Sequence, residues 1–210
     1  MALTTIGDPH ITPFNGPKFD FTGSNGEFYN FIDSQNFRMN MRMRGRELTV
    51  VSEAGILLFG VEKYHIIANE DETGYIEVRH NDQLLKHGYS MKTNVGKQTE
   101  TEVTVTAKKF TVTTKEFEVT LQWCNNGVHV YNKVPHLDNS SKCFIEFENN
   151  VHGIAGQTVN PEFQKIEGEE SDYLVSGPFS NDFKYRIDAE ASIVLPTTEA
   201  ISAYESEITC

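Results

Sequence analysis

Three adjacent residues near the start of the chain, Asp8, Pro9 and His10, have side chains that could do chemistry. An Asp-Pro peptide bond is labile in acid, because the carboxyl group can attack its own carbonyl while the strained proline nitrogen leaves readily. A hydrolase built on His10 and Asp8 would also need a nucleophile, and the sequence holds neither a Gly-x-Ser-x-Gly nor a His-Glu-x-x-His motif. We therefore expect no enzyme, and self-cleavage at Asp8-Pro9 is a weaker alternative.

Histidine and cysteine, the usual ligands of zinc, are scattered along this sequence. It contains seven histidines, and none lies at metal-ligand spacing from another histidine or a cysteine. The sequence therefore predicts no metal site.

Three cysteines, Cys124, Cys143 and Cys210, leave at least one thiol without an internal partner. Cys124 ends one strand-like run and Cys143 begins another, so the flanking strands could lie side by side. We predict a disulfide between them, which closes a loop of ~18 residues and adds roughly 3 kcal/mol of stability. Cys210 is predicted to link chains through a disulfide that forms under oxidation and breaks under reduction. The alternative is three reduced thiols.

The chain of 210 residues has a net charge of −12, from 18 Lys and Arg against 30 Asp and Glu. Such a surface repels phosphate backbones and anionic lipid, so we expect no nucleic-acid partner. No apolar run approaches the ~20 residues of a membrane span, so we expect no membrane insertion. The first ten residues show neither a basic n-region nor an apolar h-region, and no signal peptide is visible.

Apolar and basic side chains alternate along residues 37–46. This pattern predicts a strand with an apolar face toward the core and a basic face toward water. The basic positions are Arg38, Arg42, Arg44 and Arg46. From residue 160 to the end, the chain carries eleven acidic residues against three basic ones. The arginine face is therefore a predicted contact surface for the acidic end of a neighbouring copy.

Alternating Val, Thr, Ile and aromatic residues recur along most of the chain, for example over 102–123 and 127–133. Gly, Asn and Asp clusters separate these runs at hairpin distances, and no window of ~12 residues has helical periodicity. We predict an all-β fold, a single-domain two-sheet β-sandwich or flattened barrel of about a dozen mostly antiparallel strands. The β domain is expected to span 1–187, followed by an extended acidic tail over 188–210.

Two blocks of sequence carry a family resemblance. The first is "GDPHITPFNGPKFDFTGSNGEFYNF", from Gly7 to Phe31, and the second is "VHGIAGQTVNPEF", from Val151 to Phe163. Both resemble the von Willebrand factor type D family, in a cysteine-poor branch similar to the plant root-cap proteins. The matching positions are Gly7, Asp8, Pro9, His10, Phe14, Gly16, Phe19, Phe21, Gly23, His152, Gly153 and Gly156.

The opening block also has a purely structural interpretation. Gly16 and Gly23 permit tight turns where a β-carbon would clash. Phe14, Phe19 and Phe21 would supply apolar area to a core. We expect the block to seal one end of the β fold.

The resemblance implies a structural module, because type D domains of mucins and clotting factor build covalent multimers. The predicted function is a non-enzymatic protein that self-assembles into a homo-oligomer or ordered matrix, with copies of itself as partners. The alternative is a monomeric recognition or adhesion module that binds a protein or a glycan. In some mucin relatives the Gly-Asp-Pro-His motif cleaves itself in mild acid, and the self-cleavage alternative depends on this property.

The resemblance also bears on location and cofactors. We expect a mature form whose leader is absent, in the extracellular space or an endomembrane lumen such as a vacuole. The family's calcium loop here contains Val159, which offers no side-chain oxygen, whereas calcium takes about six to eight oxygen ligands. No cofactor is therefore expected, and calcium on Asn160, Glu162 and the acids of 167–172 is the open alternative.

Overall fold

The computed structural model describes residues 2–6, 10–45, 49–69, 74–95, 98–124, 127–134 and 150–186. Within these ranges the chain forms fifteen strands and two 3₁₀ turns, Gly156–Val159 and Glu170–Tyr173. The all-β prediction is confirmed. Three of the strands have only two residues, which is why they outnumber the expected dozen. In this part of the chain no helix is long and apolar enough to cross a membrane.

The strands are named here in chain order. The first eight are β1 (Ala2–Ile6), β2 (His10–Thr12), β3 (Phe19–Asp20), β4 (Phe28–Asp33), β5 (Phe37–Arg44), β6 (Val50–Leu58), β7 (Glu62–Ala68) and β8 (Ile76–His80). The others are β9 (Gln83–Leu84), β10 (Ser90–Val95), β11 (Gln98–Val105), β12 (Lys109–Thr114), β13 (Glu118–Cys124), β14 (Gly127–Lys133) and β15 (Leu174–Val175).

All these strands belong to one curled antiparallel sheet, whose main path runs β10-β11-β12-β13-β14-β6-β5-β4-β15. The path branches where β14 meets β6. Along one edge, β6 pairs with β14 near its start and with β7 over the rest of its length. β14 likewise shares one edge between β6 and β1. The branches β7-β8-β9 and β1-β2-β3 therefore extend the two halves of the sheet.

Aromatic contacts join the two halves across the core. The ring centroids of Tyr64 on β7 and Phe110 on β12 lie 5.6 Å apart. Those of Phe37 on β5 and Phe117, in the turn between β12 and β13, lie 5.1 Å apart. Burial of this apolar area between the halves is the main force that holds the fold together.

The predicted alternation of β5 is confirmed on its apolar side. The odd-numbered side chains from Phe37 to Met43 are at most 1% exposed. β11, β12 and β13 follow the same rule, because their valines and Phe110 face the core while most of their threonines face outward. Local periodicity thus correctly predicts which side chains enter the core.

Candidate functional site

The second motif block lies against β4, next to the first block. His152 and Asp33 exchange backbone hydrogen bonds, in which the N–H of each donates to the carbonyl of the other, at 2.8 and 2.9 Å. The N–H of Ala155 donates to the carbonyl of Phe31 at 2.8 Å. The chain therefore continues the sheet hydrogen bonding of β4 with a segment more than a hundred residues away.

A side-chain contact joins the same two blocks. Asn15 donates from Nδ2 to the carbonyl oxygens of Thr158, at 3.2 Å, and Val159, at 2.8 Å. The hydroxyl of Thr158 accepts a hydrogen bond from the N–H of Phe14 at 3.2 Å. The two motif blocks, which are far apart in the sequence, are thus in direct contact in the fold.

Backbone geometry explains two of the motif glycines. Gly153 has φ +91°, and a β-carbon there would lie 2.7 Å from the carbonyl oxygen of Phe31. Gly16 has φ +79°, and its β-carbon would lie 2.8 Å from the ring of Phe163. Both positions combine a left-handed backbone with a contact too close for any side chain. They allow the second block to lie directly on the first.

The phenylalanines of the first block contribute to the core as expected. Phe14 is 8% exposed and Phe21 is 1% exposed, and the ring of Phe21 meets Tyr29 edge-on at 5.0 Å. Phe19 is half-buried and packs on Phe163 at 5.8 Å between centroids. The structural interpretation of this block is confirmed for these three side chains.

His10 lies on the surface, where its Nδ1 is 2.5 Å from Oδ1 of Asp20 on β3. Both side chains are mostly exposed. Gly7, Asp8 and Pro9 lie outside the described residues, so a contact between Asp8 and His10 and self-cleavage at Asp8-Pro9 stay predictions.

The arginine face of β5 makes ion pairs within the chain. Nε of Arg38 is 2.7 Å from Oδ1 of Asp33, a side chain with no exposed surface. Nη1 of Arg42 is 2.6 Å from Oε1 of Glu53, and Oε2 of the same carboxylate is 3.0 Å from Nε2 of His65. At least two of the four predicted arginines, Arg38 and Arg42, are therefore already engaged within the chain.

A segment from the C-terminal part of the described chain covers part of this polar face. We call this segment, Ser176–Asp182, the strap. Asn40 on β5 donates from Nδ2 to the strap carbonyls of Gly177, at 3.1 Å, and Ser180, at 2.8 Å. At Gly55 on β6, a β-carbon would lie 2.6 Å from the carbonyl carbon of Pro178. The face of β5 that was expected to be exposed to water is therefore partly covered by the strap.

The predicted role of the arginine face in contact with another copy remains open. Arg42 keeps 41% of its side chain exposed and Arg44 is half-buried, so both still reach the surface. Arg46 lies outside the described residues. The contact surface for an acidic neighbour stays a prediction, now with Arg42 tied to Glu53.

The predicted disulfides involve residues outside the described ranges. Cys124 ends β13, is half-buried and carries a free thiol among the described residues. Cys143 and Cys210 are not described, and neither is the predicted tail over 188–210. The Cys124–Cys143 pair and the intermolecular bond at Cys210 stay predictions.

Two of the residues weighed for calcium, Asn160 and Asp172, have side-chain partners within the protein. Oδ1 of Asn160 accepts a hydrogen bond from the N–H of Glu162 at 2.8 Å. The carboxylate of Asp172 accepts hydrogen bonds from Lys184 Nζ at 3.0 Å and from the hydroxyl of Tyr185 at 3.2 Å. In the described ranges, no three His, Cys, Asp or Glu side chains are placed together to hold a metal ion.

The sequence did not reveal which sheet edge would be open. Three of the four strands that end the sheet or its branches, β3, β9 and β15, have two residues each, while β10 has six. Among the described strands, β10 pairs with β11 alone. Strand ends could be read from the sequence, but the position of a strand in a sheet depends on its distant partners.

No protein-family model matches this sequence, and a search of curated proteins finds no match. The resemblance to the von Willebrand factor type D family therefore remains a hypothesis that rests on the two motif blocks.

Proposed function

We propose that this protein is a non-enzymatic structural module that self-assembles, through strand pairing at the edge of β10 and a disulfide between C-terminal cysteines. The observation that carries the proposal is the six-residue edge of β10. Backbone N–H and C=O groups on an open edge form a template for another strand. A second copy of β10 is such a strand.

Local features of β10 suit a weak, specific contact. The register of β10 against β11 shifts between Thr93 and Asn94, so the regular part of the edge is Ser90–Thr93. Lysines on edge strands oppose strand pairing. The charge of Lys92 is partly balanced, because its Nζ lies 3.0 Å from Oε2 of Glu102. Lys92 therefore opposes strand pairing at this edge less than an unpaired lysine would.

Symmetry sets the size of the assembly. Two antiparallel copies of Ser90–Thr93 related by a two-fold axis would form about four backbone hydrogen bonds, which gives a dimer. A disulfide between two Cys210 residues is a second two-fold contact. With both contacts each chain has two neighbours, so dimers join into longer arrays that reductant takes apart.

Light scattering on a sizing column, with and without reductant, tests the proposal. We expect large species under oxidation and dimers under reduction, and dimers in both conditions for Cys210→Ser. Under reduction, Thr93→Lys should shift the dimer toward monomer, because it adds like charges to the paired edge. Gln83→Lys adds the same charge to exposed β9 and serves as the control.

Two results would overturn the proposal. A wild-type protein that is monomeric in both redox states supports the recognition module instead. An unchanged dimer in Thr93→Lys would show that β10 is not the contact.

A further inference from the structure

Hydroxyl side chains line up across seven neighbouring strands on one face of the sheet. Each is the cross-strand partner of the next, along β10, β11, β12, β13, β14, β1 and β2. We call this set the hydroxyl row. Its members are Ser90, Thr104, Thr111, Thr120, Tyr131, Thr4 and Thr12.

The hydroxyl row is on the outer face. The residues that alternate with it, such as Val103, Val112 and Val130, are fully buried in the core. Thr120 at the middle of the row is 9% exposed, and the other members are half-buried or exposed. Thr111 and Thr120 share a hydrogen bond of 3.1 Å between their hydroxyls. No described residue makes a side-chain hydrogen bond to the other five hydroxyls, which leaves them available to a ligand.

The charges beside the hydroxyl row nearly balance one another. On the same face, Lys92 pairs with Glu102 at 3.0 Å, and Lys133 pairs with Glu118 at 3.2 Å. Lys109 on β12 is a further exposed cation of this face, so the face is close to neutral in a chain whose net charge is −12. A phosphate-rich polymer would need an excess of cations here, so the charges favour an uncharged partner.

Hydroxyl groups both donate and accept hydrogen bonds, so the best match to the row is another array of hydroxyl groups. The ring of Tyr131 near the middle adds an apolar surface on which a sugar ring can pack, while its hydroxyl stays polar. Strands lie about 4.8 Å apart, so seven hydroxyls span roughly 29 Å. The sheet also twists by about 20–25° per strand, so the row is curved. A single flexible chain can follow this curve, whereas a flat crystalline surface cannot.

We propose that the hydroxyl row binds a single chain of a neutral polysaccharide, which lies across the strands. This binding is separate from self-assembly, since it uses the outer face of the sheet and not the free edge of β10. The two activities can therefore be measured one at a time.

Affinity electrophoresis in native gels tests the proposal, with Cys210→Ser as the starting protein so that covalent assembly does not contribute. The gels contain hydroxyethylcellulose, mixed-linkage β-glucan or galactomannan, and polygalacturonate is the anionic probe. We expect at least one neutral polymer to retard the protein. Thr104→Val combined with Thr111→Val should weaken that retardation by about tenfold, the effect of two lost hydrogen bonds.

The control is Thr93→Val, since Thr93 is exposed on the opposite face of β10 and its register partner Thr101 is buried. It should leave retardation unchanged. A folded Thr104/Thr111 variant that is retarded as strongly as the control would overturn the proposal. Retardation by none of the neutral polymers, or by polygalacturonate alone, would also overturn it.

Discussion

Glu53 and Glu116 are both half-buried, and their surroundings shift their pKa values in opposite directions. The pKa of Glu53 is lowered, chiefly by the hydrogen bond with His65; burial opposes this shift and Arg42 adds to it. Burial raises the pKa of Glu116, although Ser34 and Asn36 donate hydrogen bonds to its carboxylate. At Glu53 the hydrogen bonds with His65 and Arg42 outweigh burial and favour the ionised form, whereas at Glu116 burial outweighs the hydrogen bonds that the carboxylate accepts.

The lowered pKa of Glu53 predicts a loss of stability in acid. Its contribution is present above the unfolded pKa of about 4.3 and is lost as pH falls through the lower folded value. Glu53→Gln should therefore cost about 1–3 kcal/mol at neutral pH, and this difference from wild type should shrink below about pH 4. Urea unfolding at a series of pH values measures it.

Glu77→Gln is the matched control for this prediction. Glu77 pairs with the half-exposed Arg79 at 2.6 Å, and such surface pairs contribute about 0–1 kcal/mol. A cost for Glu53→Gln that stays constant down to pH 3 would contradict the role assigned to its carboxylate.

At the scale of elements, long-range segments complete the β4–β5–β6 region. The second motif block hydrogen-bonds to β4, and the strap hydrogen-bonds to β5 through Asn40. Both segments belong to the last part of the described chain, so this half of the sheet is completed by residues that are distant in sequence. Their close approach depends on glycine at the points of contact.

Gly153→Ala tests how the second motif block docks on β4. Gly153 and Gly88 both have φ +91°, but a β-carbon at Gly88 has nothing within 4 Å, while at Gly153 it meets Phe31 and Asn30. Alanine at either site adds the strain of a left-handed backbone, about 1–2 kcal/mol. Gly153→Ala should cost about 1–3 kcal/mol beyond Gly88→Ala, because it also overpacks a close contact.

Urea unfolding of the two glycine variants gives this comparison directly. Since φ is the same at the two sites, the difference between them reports mainly the contact at Gly153. Equal losses of stability would mean that the block does not lie as close to β4 as the structure shows.

At the scale of the whole molecule, the two halves of one curled sheet pack against each other and enclose the core. Among the described strands, the ladder between the halves is a single residue pair, Val128 of β14 with Val51 of β6. Hydrogen bonds such as those from Ser34 and Asn36 to Glu116 also link the halves, so apolar contact provides most of the attraction between them. A covalent link near this junction would limit the freedom of the unfolded chain and so add stability.

Oxidation of Cys124 and Cys143 is predicted to provide such a link, because Cys124 closes the hairpin that leads into β14. In Cys210→Ser protein, the oxidised form should be about 3 kcal/mol more stable than the reduced form. Urea unfolding with and without reductant measures this difference, and a further Cys124→Ser change should abolish it. Peptide mapping that finds both thiols free under oxidation would rule the pair out.

The sequence by itself determined which segments form strands and which side chains enter the core. Phe37 and the methionines of β5 illustrate this, because alternation is a local property with a period of two residues. It also indicated the motif glycines, since a left-handed backbone conformation strongly favours glycine.

Only the tertiary structure decided what lies beside each strand. Asn40 and the strap residue Gly177 are 137 positions apart, and no local period connects them. The seven hydroxyls likewise come into line through the register of six strand pairs, in which Thr4 and Thr12 follow Tyr131 although they precede it in the chain. Strand order and register depend on packing between distant segments, so the partly covered polar face of β5, the open edge of β10 and the hydroxyl row emerge only in the folded molecule.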